Sequence, residues 1–448
     1  MEEAVRELYE NQRAMRQIRK QALHRGVLAI LDFGSSKVSC LILQFGSPSS
    51  FQQDLGHGYF DGLADFRVIG VGTTQSLGVK CGEITSMNEA ERAIRNVLQR
   101  AQKMASQRVD HAMVCFSGAK QRSYATSGRI EIEGKTVSER EISRVLAACE
   151  LPNFDVDCNV LHAQPVNFGL DHRSNLSDPR EQYGHELSVD MHMLTVDTKL
   201  VQSLIQCINR CDVEVAGLVS SAYASGISTL VEDEQELGAA CIDLGGDTTG
   251  VSIFLRKHMI HADYVEIGGQ NITYDISLGF NIPKSKAEYI KTMHGGVIAT
   301  AGDDHTIIDI GSDRSEWDFD RRNVSRSELI GVIRPRVEEI FEEIRTRLDD
   351  AAFDHLPSRQ IVLTGGGSQI PGLDRVAGRI LQQQVRLGRP LRIPGLPQAV
   401  SGPGFSSVVG LGLFSALPQD EWWDFEMPTA IRSKVGLRRA VQWFRDNW

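Results

Sequence analysis

Residues 27–45, VLAILDFGSSKVSCLILQF, and residues 239–255, AACIDLGGDTTGVSIFL, decide the fold because they share one pattern. In each, an apolar run ends at an aspartate, a glycine follows two positions later, and a second apolar run carries the chain back. Apolar runs flanking a turn of Gly, Ser and Thr predict strand, tight turn, strand. The hairpins stand about 210 residues apart, which reads as an internal duplication. Such a turn has a chemical use. Glycine lets the backbone approach a phosphate, and successive N–H groups form a concave anion nest. The leading carboxylate, Asp32 or Asp243, would orient Mg2+ or its waters. A third stretch strengthens the reading: a buried strand over 359–364 runs into Gly365, Gly366 and Gly367, which lets the chain pass close to a flat adenine and ribose.

The 448 residues allow about two to four domains. Hydrophobic residues at 41% and charged residues at 24% match an ordinary soluble globular chain, and a net charge of −10 argues against a nucleic-acid binder. No run of about 18 apolar residues exists, so no membrane span is expected. Residues 1–25 lack the apolar core and small-residue cleavage site of a secretory signal. Eight cysteines without paired metal spacing read as reduced cytosolic thiols, and Cys207 and Cys211, four apart on an expected helix, as core packing. The class is cytosolic α/β.

Working outward, residues 1–25 carry six basic and four acidic side chains and read as a solvated charged helix or frayed tail. Residues 46–65 read as a loop and 68–71 as a strand. Residues 83–163 read as a separate module. Its helix over 89–107 is marked by Ala90, Ala93, Ile94, Val97, Leu98, Ala101 and Met104; strands follow at 111–117 and 123–133, then a helix opened by the capping pair Ser138 and Glu141. A helix over 201–211, a strand over 213–219 and a long helix over 328–349 are also expected. After Leu417 an acidic linker with Trp422 and Trp423 leads to a basic, aromatic tail over 432–448.

At this point the residues resemble a family. LDFGSSKVSCLI at 31–42 resembles the phosphate-1 motif of the actin-like ATPase superfamily, CIDLGGDTTGVSIF at 241–254 its phosphate-2 motif, and IVLTGGGSQIPGL at 361–373 its adenosine motif. Residues 213–226 and 404–416 stand where its two interdomain connectors belong, so the likeness runs over roughly 26–417. Asp32-x-Gly-Ser-Ser-Lys-Val38, Tyr264-Val-Glu-Ile-Gly-Gly269 with Ile272-Thr-x-Asp275, and Ala287-Glu-x-x-Lys291 resemble signatures of the FtsA family of bacterial cell-division proteins. The resemblance implies an α/β actin-like ATPase fold with duplicated nucleotide-binding halves, a 1C subdomain in place of actin's 1B, and a C-terminal amphipathic helix. The implied boundaries are 1–25 for a charged extension, 26–82 and 164–235 for 1A, 83–163 for 1C, 236–270 and 331–417 for 2A with its return connector, 271–330 for 2B, 418–431 for a linker and 432–448 for the terminal helix.

The same resemblance implies ATP and Mg2+ in a central cleft. Asp32 and Asp243 would manage Mg2+ through water and serve as the catalytic carboxylates. Gly34, Ser35, Ser36, Gly245, Gly246 and Thr248 would cradle phosphates, with Lys37 near the β-phosphate. Gly269, Glu288, Lys291, Gly366 and Gly367 would meet the nucleoside; Glu288 and Lys291, three apart, share one helix face. The chain departs from the family at Asp247, where a third glycine is expected, and at Gly250, where an aspartate is. A carboxylate beside phosphates disfavours binding unless a cation intervenes. Gly217 stands near the place of a water-orienting glutamine, so turnover should be slow.

On a helical wheel Leu437, Val441, Phe444 and Trp448 form one apolar stripe, with Arg438 and Arg445 on the polar side. This is the pattern of an interfacial membrane helix over anionic headgroups. Four buried apolar side chains contribute roughly 1.5–3 kcal/mol each, less the cost of ordering, so one tail binds reversibly and self-assembly makes attachment firm. The resemblance implies an ATP-binding, self-polymerising adaptor at the division septum. It would tether FtsZ to the inner face of the cytoplasmic membrane through 2B, associate head to tail, and recruit later division proteins through 1C. The 2B arginines Arg314, Arg321, Arg322 and Arg326 are candidate sites for the acidic FtsZ tail. Alternatives are a pilus-assembly or cytoskeletal relative, or a sugar or acid kinase of the same superfamily.

Overall fold

A computed structural model of the chain describes residues 2–46, 66–118, 120–150, 158–311 and 322–426. Helix α1 (Glu2–Arg25) precedes the first hairpin, β1 (Val27–Phe33) and β2 (Lys37–Phe45), which β3 (Phe66–Gln75) extends. A short ribbon, β4 (Val79–Lys80) and β5 (Glu83–Ile84), leads to α2 (Met87–Ala105) and β6 (His111–Phe116). Next come β7 (Arg122–Thr136), α3 (Glu139–Ala147), β8 (Cys158–Leu170), β9 (Arg173–Leu176) and β10 (Tyr183–Asp197), which build a sheet of their own in the order β7-β10-β8-β9. The chain then returns through α4 (Thr198–Asn209), β11 (Glu214–Ser220) and α5 (Ser221–Thr229), completing a first sheet ordered β11-β6-β1-β2-β3.

The second half repeats this plan. After α6 (Glu232–Leu237), β12 (Ala239–Leu244), β13 (Thr249–Leu255) and β14 (His258–Val265) lie in sequence. Helices α7 (Gly269–Phe280) and α8 (Lys284–His294), the ribbon β15 (Ile307–Asp309) and β16 (Asn323–Ser325), and the long α9 (Arg326–Asp350) follow. Then β17 (Gln360–Thr364), α10 (Leu373–Leu381), β18 (Val385–Leu387) and α11 (Ser406–Ala416) close the body, with a second sheet ordered β14-β13-β12-β17-β18. In both sheets an antiparallel hairpin begins the half and a parallel strand flanks its first member: β6 beside β1, β17 beside β12. Leu28 to Leu31 and Ala239 to Ile242 are buried residue after residue, as expected of strands covered on both faces.

Three sequence expectations are corrected. The expected 83–163 module divides differently. Helix α2 packs on the first sheet through Ala90, Ile94, Val97 and Leu98, and Ala29 sits opposite Ala112 in the β1–β6 pair. The inserted sheet instead begins with β7 and runs on to Asp197, because β10 is its central strand, paired with both β7 and β8. Residues 10–25 are not a solvated tail: Ala22 is fully buried, Arg16 and Arg19 are buried, and Ile18 and Leu23 pack on the first core. Nor is the stretch after Leu417 a free linker, since Trp422, Trp423 and Phe425 fill the core of the inserted module. The 432–448 tail lies outside the described residues.

Helices α5 and α11 pack tightly between the two sheets, and α11 is buried at every position, as a helix apolar all round must be. Gly410 makes this approach feasible: a Cβ there would lie 1.7 Å from the carbonyl oxygen of Ala224 on α5. Gly410→Ala must force the helices apart. The expected loss is about 1–3 kcal/mol or more of stability in urea unfolding, whereas Gly412→Ala, with 3.5 Å to Leu43, is expected to change little.

Candidate functional site

The turns of both hairpins open at the carboxyl ends of β1 and β12, where ligands of open α/β sheets bind. They face one another across a cavity of about 1140 Å3. Its lining includes Asp32, Gly34, Ser35, Ser36 and Lys37 from the first hairpin and Asp243, Gly245, Gly246 and Thr248 from the second. Gly269, Glu288, Lys291, Gly366 and Gly367 complete the set singled out from the sequence. All fourteen of these residues therefore line one cavity. Leu437, Arg438, Val441, Phe444, Arg445 and Trp448 lie outside the described residues.

The two carboxylates are held by serines the sequence reading did not single out. Ser407 Oγ on α11 donates to Asp32 Oδ2 at 2.7 Å, and Ser225 Oγ on α5 donates to Asp243 Oδ2 at 2.5 Å. The one usable signal was a small hydroxyl among Ala and Gly in each connector. The pKa of Asp243 is raised to about 6, by burial first and then by neighbouring Asp32, with the Ser225 bond and Lys37 opposing the rise. Asp32 is likewise raised by burial, with Ser407 and Lys37 pulling the other way. Burial lowers Lys37, and both aspartates raise it. Its Nζ stands 3.3 Å over the Phe405 ring, a cation–π contact that holds the ammonium in the cleft. Two buried acids and one buried base thus form a site whose charge balance favours an added cation.

Backbone shapes the rest of the cradle. Gly365 has φ +87°, and a Cβ there would strike Asp243 Oδ1 at 2.3 Å. Gly366 has open space where its side chain would be, which leaves a bare backbone facing the cavity. The N-terminus of α7 is tied to the second turn: Gly269 N donates to Gly245 O at 2.9 Å and Gln270 N to Gly246 O at 2.8 Å. Lys291 Nζ donates to Gly269 O at 2.9 Å and to Thr273 Oγ1 at 2.8 Å, and pairs with Glu288 at 2.7 Å. Glu288 and Lys291 therefore serve first to fasten α8 to α7 at the cavity wall.

Asp247 does not behave as its position in the motif suggested. It is absent from the cavity lining; its Oδ2 accepts from Cys81 N at 3.2 Å, and its own N donates to Ser35 Oγ at 3.0 Å. The expected carboxylate beside phosphates is instead a bond between the lips of the cleft. A Cβ on Gly250 would lie 3.0 Å from the Tyr264 ring, which occupies that space. Gly217 also lies off the cavity, and a Cβ there would meet Met113 at 2.8 Å.

The glycine-lined, N–H-rich turns, the paired carboxylates and the lysine between them fit a nucleotide phosphate chain with a divalent cation. Comparison with known proteins gives the family. The sequence model described as "Cell division protein FtsA" matches residues 240–410, and that of the "SHS2 domain inserted in FTSA" matches 118–195. A cell division protein FtsA from Rhizobium meliloti (strain 1021) is 36% identical over 424 residues, covering 94% of this chain and 95% of that protein.

The chain belongs to the FtsA family of cell division proteins. The FtsA of Agrobacterium fabrum is 35% identical over 430 residues, covering 94% of this chain and 95% of its own, and that of Escherichia coli (strain K12) is 26% identical over 437, covering 96% and 100%. In three dimensions a chain of a PilM–PilN type IV pilus biogenesis complex superposes with a TM-score of 0.59, 14% identity and coverage of 87% of this chain and 99% of that one. The SHS2 match coincides with the inserted sheet, not with residues 83–117.

Removing a serine that steadies a buried carboxylate has a readable cost. Ser225→Ala is expected to destabilise the fold by about 1–3 kcal/mol in urea unfolding at neutral pH. Ser39→Ala, whose buried hydroxyl has no partner among the described residues, is expected to cost less.

Proposed function

We propose that this chain is a nucleotide-dependent adaptor of cell division: it binds ATP with Mg2+, polymerises, fixes FtsZ to the cytoplasmic face of the cell membrane and gathers later division proteins. The observation that carries the reading is the pair of Asp-x-Gly hairpins closing on one glycine-lined cavity. Asp32 and Asp243 would hold the hydrated Mg2+, which neutralises the phosphates; the turn amides and Lys37 would bind them. Gly366 and Gly367 would pass beneath the nucleoside, flanked by Glu288 and Lys291. Hydrolysis would be slow, because Gly217 has no side chain with which to orient an attacking water. In family terms the first sheet is 1A, the inserted sheet 1C, the second sheet 2A, and the α7–α8–β15–β16 unit 2B.

A surface on 2B supports the FtsZ reading. Tyr274, Leu278, Tyr289, Met293 and Ile307 are exposed there, between 48% and 62%. Lys284 stands 5.2 Å over the Tyr274 ring and Lys286 6.0 Å over that of Tyr289. Apolar side chains rimmed by ammonium groups suit an acidic peptide with apolar anchors. Arg326 is already engaged within the fold, pairing with Asp303 at 2.7 Å and donating to the carbonyl of His294. Arg322 is exposed and donates to Phe280 O at 2.8 Å, while Arg314 and Arg321 lie outside the described residues.

No helix among the described residues is long and apolar enough to cross a membrane. Membrane attachment therefore rests on the 432–448 sequence. Vesicles containing phosphatidylglycerol are expected to sediment the full chain, and more so with MgATP. A chain stopped after Ala430 should stay in the supernatant, and equal pelleting of both would overturn the tether. At the nucleotide site, a carboxylate repelling phosphate would make Asp247→Asn bind MgATP roughly tenfold tighter. The Cys81 bond, which an Asn oxygen can still accept, predicts a dissociation constant within about twofold of the parent by calorimetry.

A further inference from the structure

Helix α1, none of whose described side chains lines the cavity, makes contacts more than 400 residues further along the chain. The Arg16 guanidinium forks between two carboxylates, Nη2 to Glu421 Oε2 at 2.8 Å and Nη1 to Asp424 Oδ2 at 2.9 Å. These side chains are 10%, 4% and 18% exposed, so both ion pairs are withdrawn from water. Glu421 uses its other oxygen on the inserted module, at 2.7 Å from His162 Nδ1. His162 Nε2 accepts from Ser220 N at 3.1 Å, which fixes the proton on Nδ1 and makes the imidazole a donor to Glu421. One carboxylate thereby joins α1, β8 and, through the ring, the end of β11.

The residues around Glu421 reach the remaining parts of the body. Gln419 accepts from Tyr223 Oη at 3.0 Å, on α5, and donates to the carbonyl of Lys257 in the second half. Trp422, Trp423 and Phe425 sit in the inserted module's core. Residues 419–426 are thus seated at the junction of both halves, the inserted sheet and α1, directly before the tail.

We propose that α1 is a latch on the base of the tail: by pairing Arg16 with Glu421 and Asp424, it holds residues 419–426 on the body and fixes where residues 427–448 depart. The physical reason is asymmetric. The tryptophans supply apolar packing that tolerates small shifts, whereas a buried carboxylate that loses its counter-charge must find water. Loss of Arg16 takes the directly paired guanidinium from both carboxylates and leaves them the His162 bond and the charge of Arg19, so the segment opens toward solvent and the tail leaves from a mobile base. The consequence for membrane attachment rests on the adaptor reading; the latch itself does not.

The test is amide hydrogen exchange on the full chain, without lipid, comparing the parent with Arg16→Ala, Arg16→Lys and Asp424→Asn. Exchange over 419–426 is expected to quicken roughly tenfold or more in Arg16→Ala and less in the other two, with 239–255 unchanged. Lysine keeps one charge but not the fork, which is why it should fall between. Exchange over 419–426 within about twofold of the parent would overturn the latch, as would an equal rise over 239–255. Failure of the parent chain to pellet with phosphatidylglycerol vesicles would remove the membrane reading and leave the exchange result standing.

Discussion

Two carboxylates buried against each other across a cleft set the terms for everything around them. Burial penalises the charge of both Asp32 and Asp243, and Asp32 adds to the penalty on Asp243, so each needs a fixed partner. Ser407 and Ser225 supply these partners, and the helices that carry them are neighbours. α5 follows the first sheet yet its Ser225 holds the aspartate of the second; α11 follows the second sheet yet its Ser407 holds the aspartate of the first. That exchange couples the halves through the site, and it explains why α5 and α11 approach closely enough to need Gly410. Lys37 stands between the acids, and the cradle of bare backbone begins where these side chains end.

The parts of this arrangement that local spacing encodes were legible in the sequence. Asp-x-Gly between apolar runs has few physical uses, and repetition at Asp32 and Asp243, with Gly365 to Gly367 downstream, narrowed them to a phosphate-binding cleft. Asp247 was misread because its motif position says nothing of its rotamer; the direction is set by Cys81, 166 residues away. Ser225 and Ser407 were hidden for the same reason, since a serine in a buried apolar helix looks like any small packing residue until the aspartate opposite it is known.

Boundaries failed on pairing. A helix followed by a strand at 87–116 fits an independent module as well as it fits the edge of a larger sheet. Only the register of Ala112 against Ala29 decides between them, and register is not written in composition. The charged 1–25 stretch looked solvated because its acids and bases were counted alone. Arg16 and Arg19 are buried because their counter-charges, Glu421 and Asp424, arrive from the other side of the chain. Trp422 and Trp423 looked like a linker's decoration for the matching reason. Their host core belongs to a sheet that ends more than 200 residues earlier.

The span between Arg16 and Glu421 also has a meaning in time. The two residues are 405 apart, so the loop they close holds almost the whole chain. Contacts of that separation form late, after the entropy of closing the loop has been met by shorter ones. During synthesis Arg16 leaves the ribosome long before Glu421 and Asp424 exist. The apolar face of α1 can pack on the first sheet early, while Arg16 waits for its carboxylates until both sheets and the inserted module have been made. Closing the Arg16 pairs is then a late step of folding, reached only by a chain that has been translated through the residues just ahead of its tail.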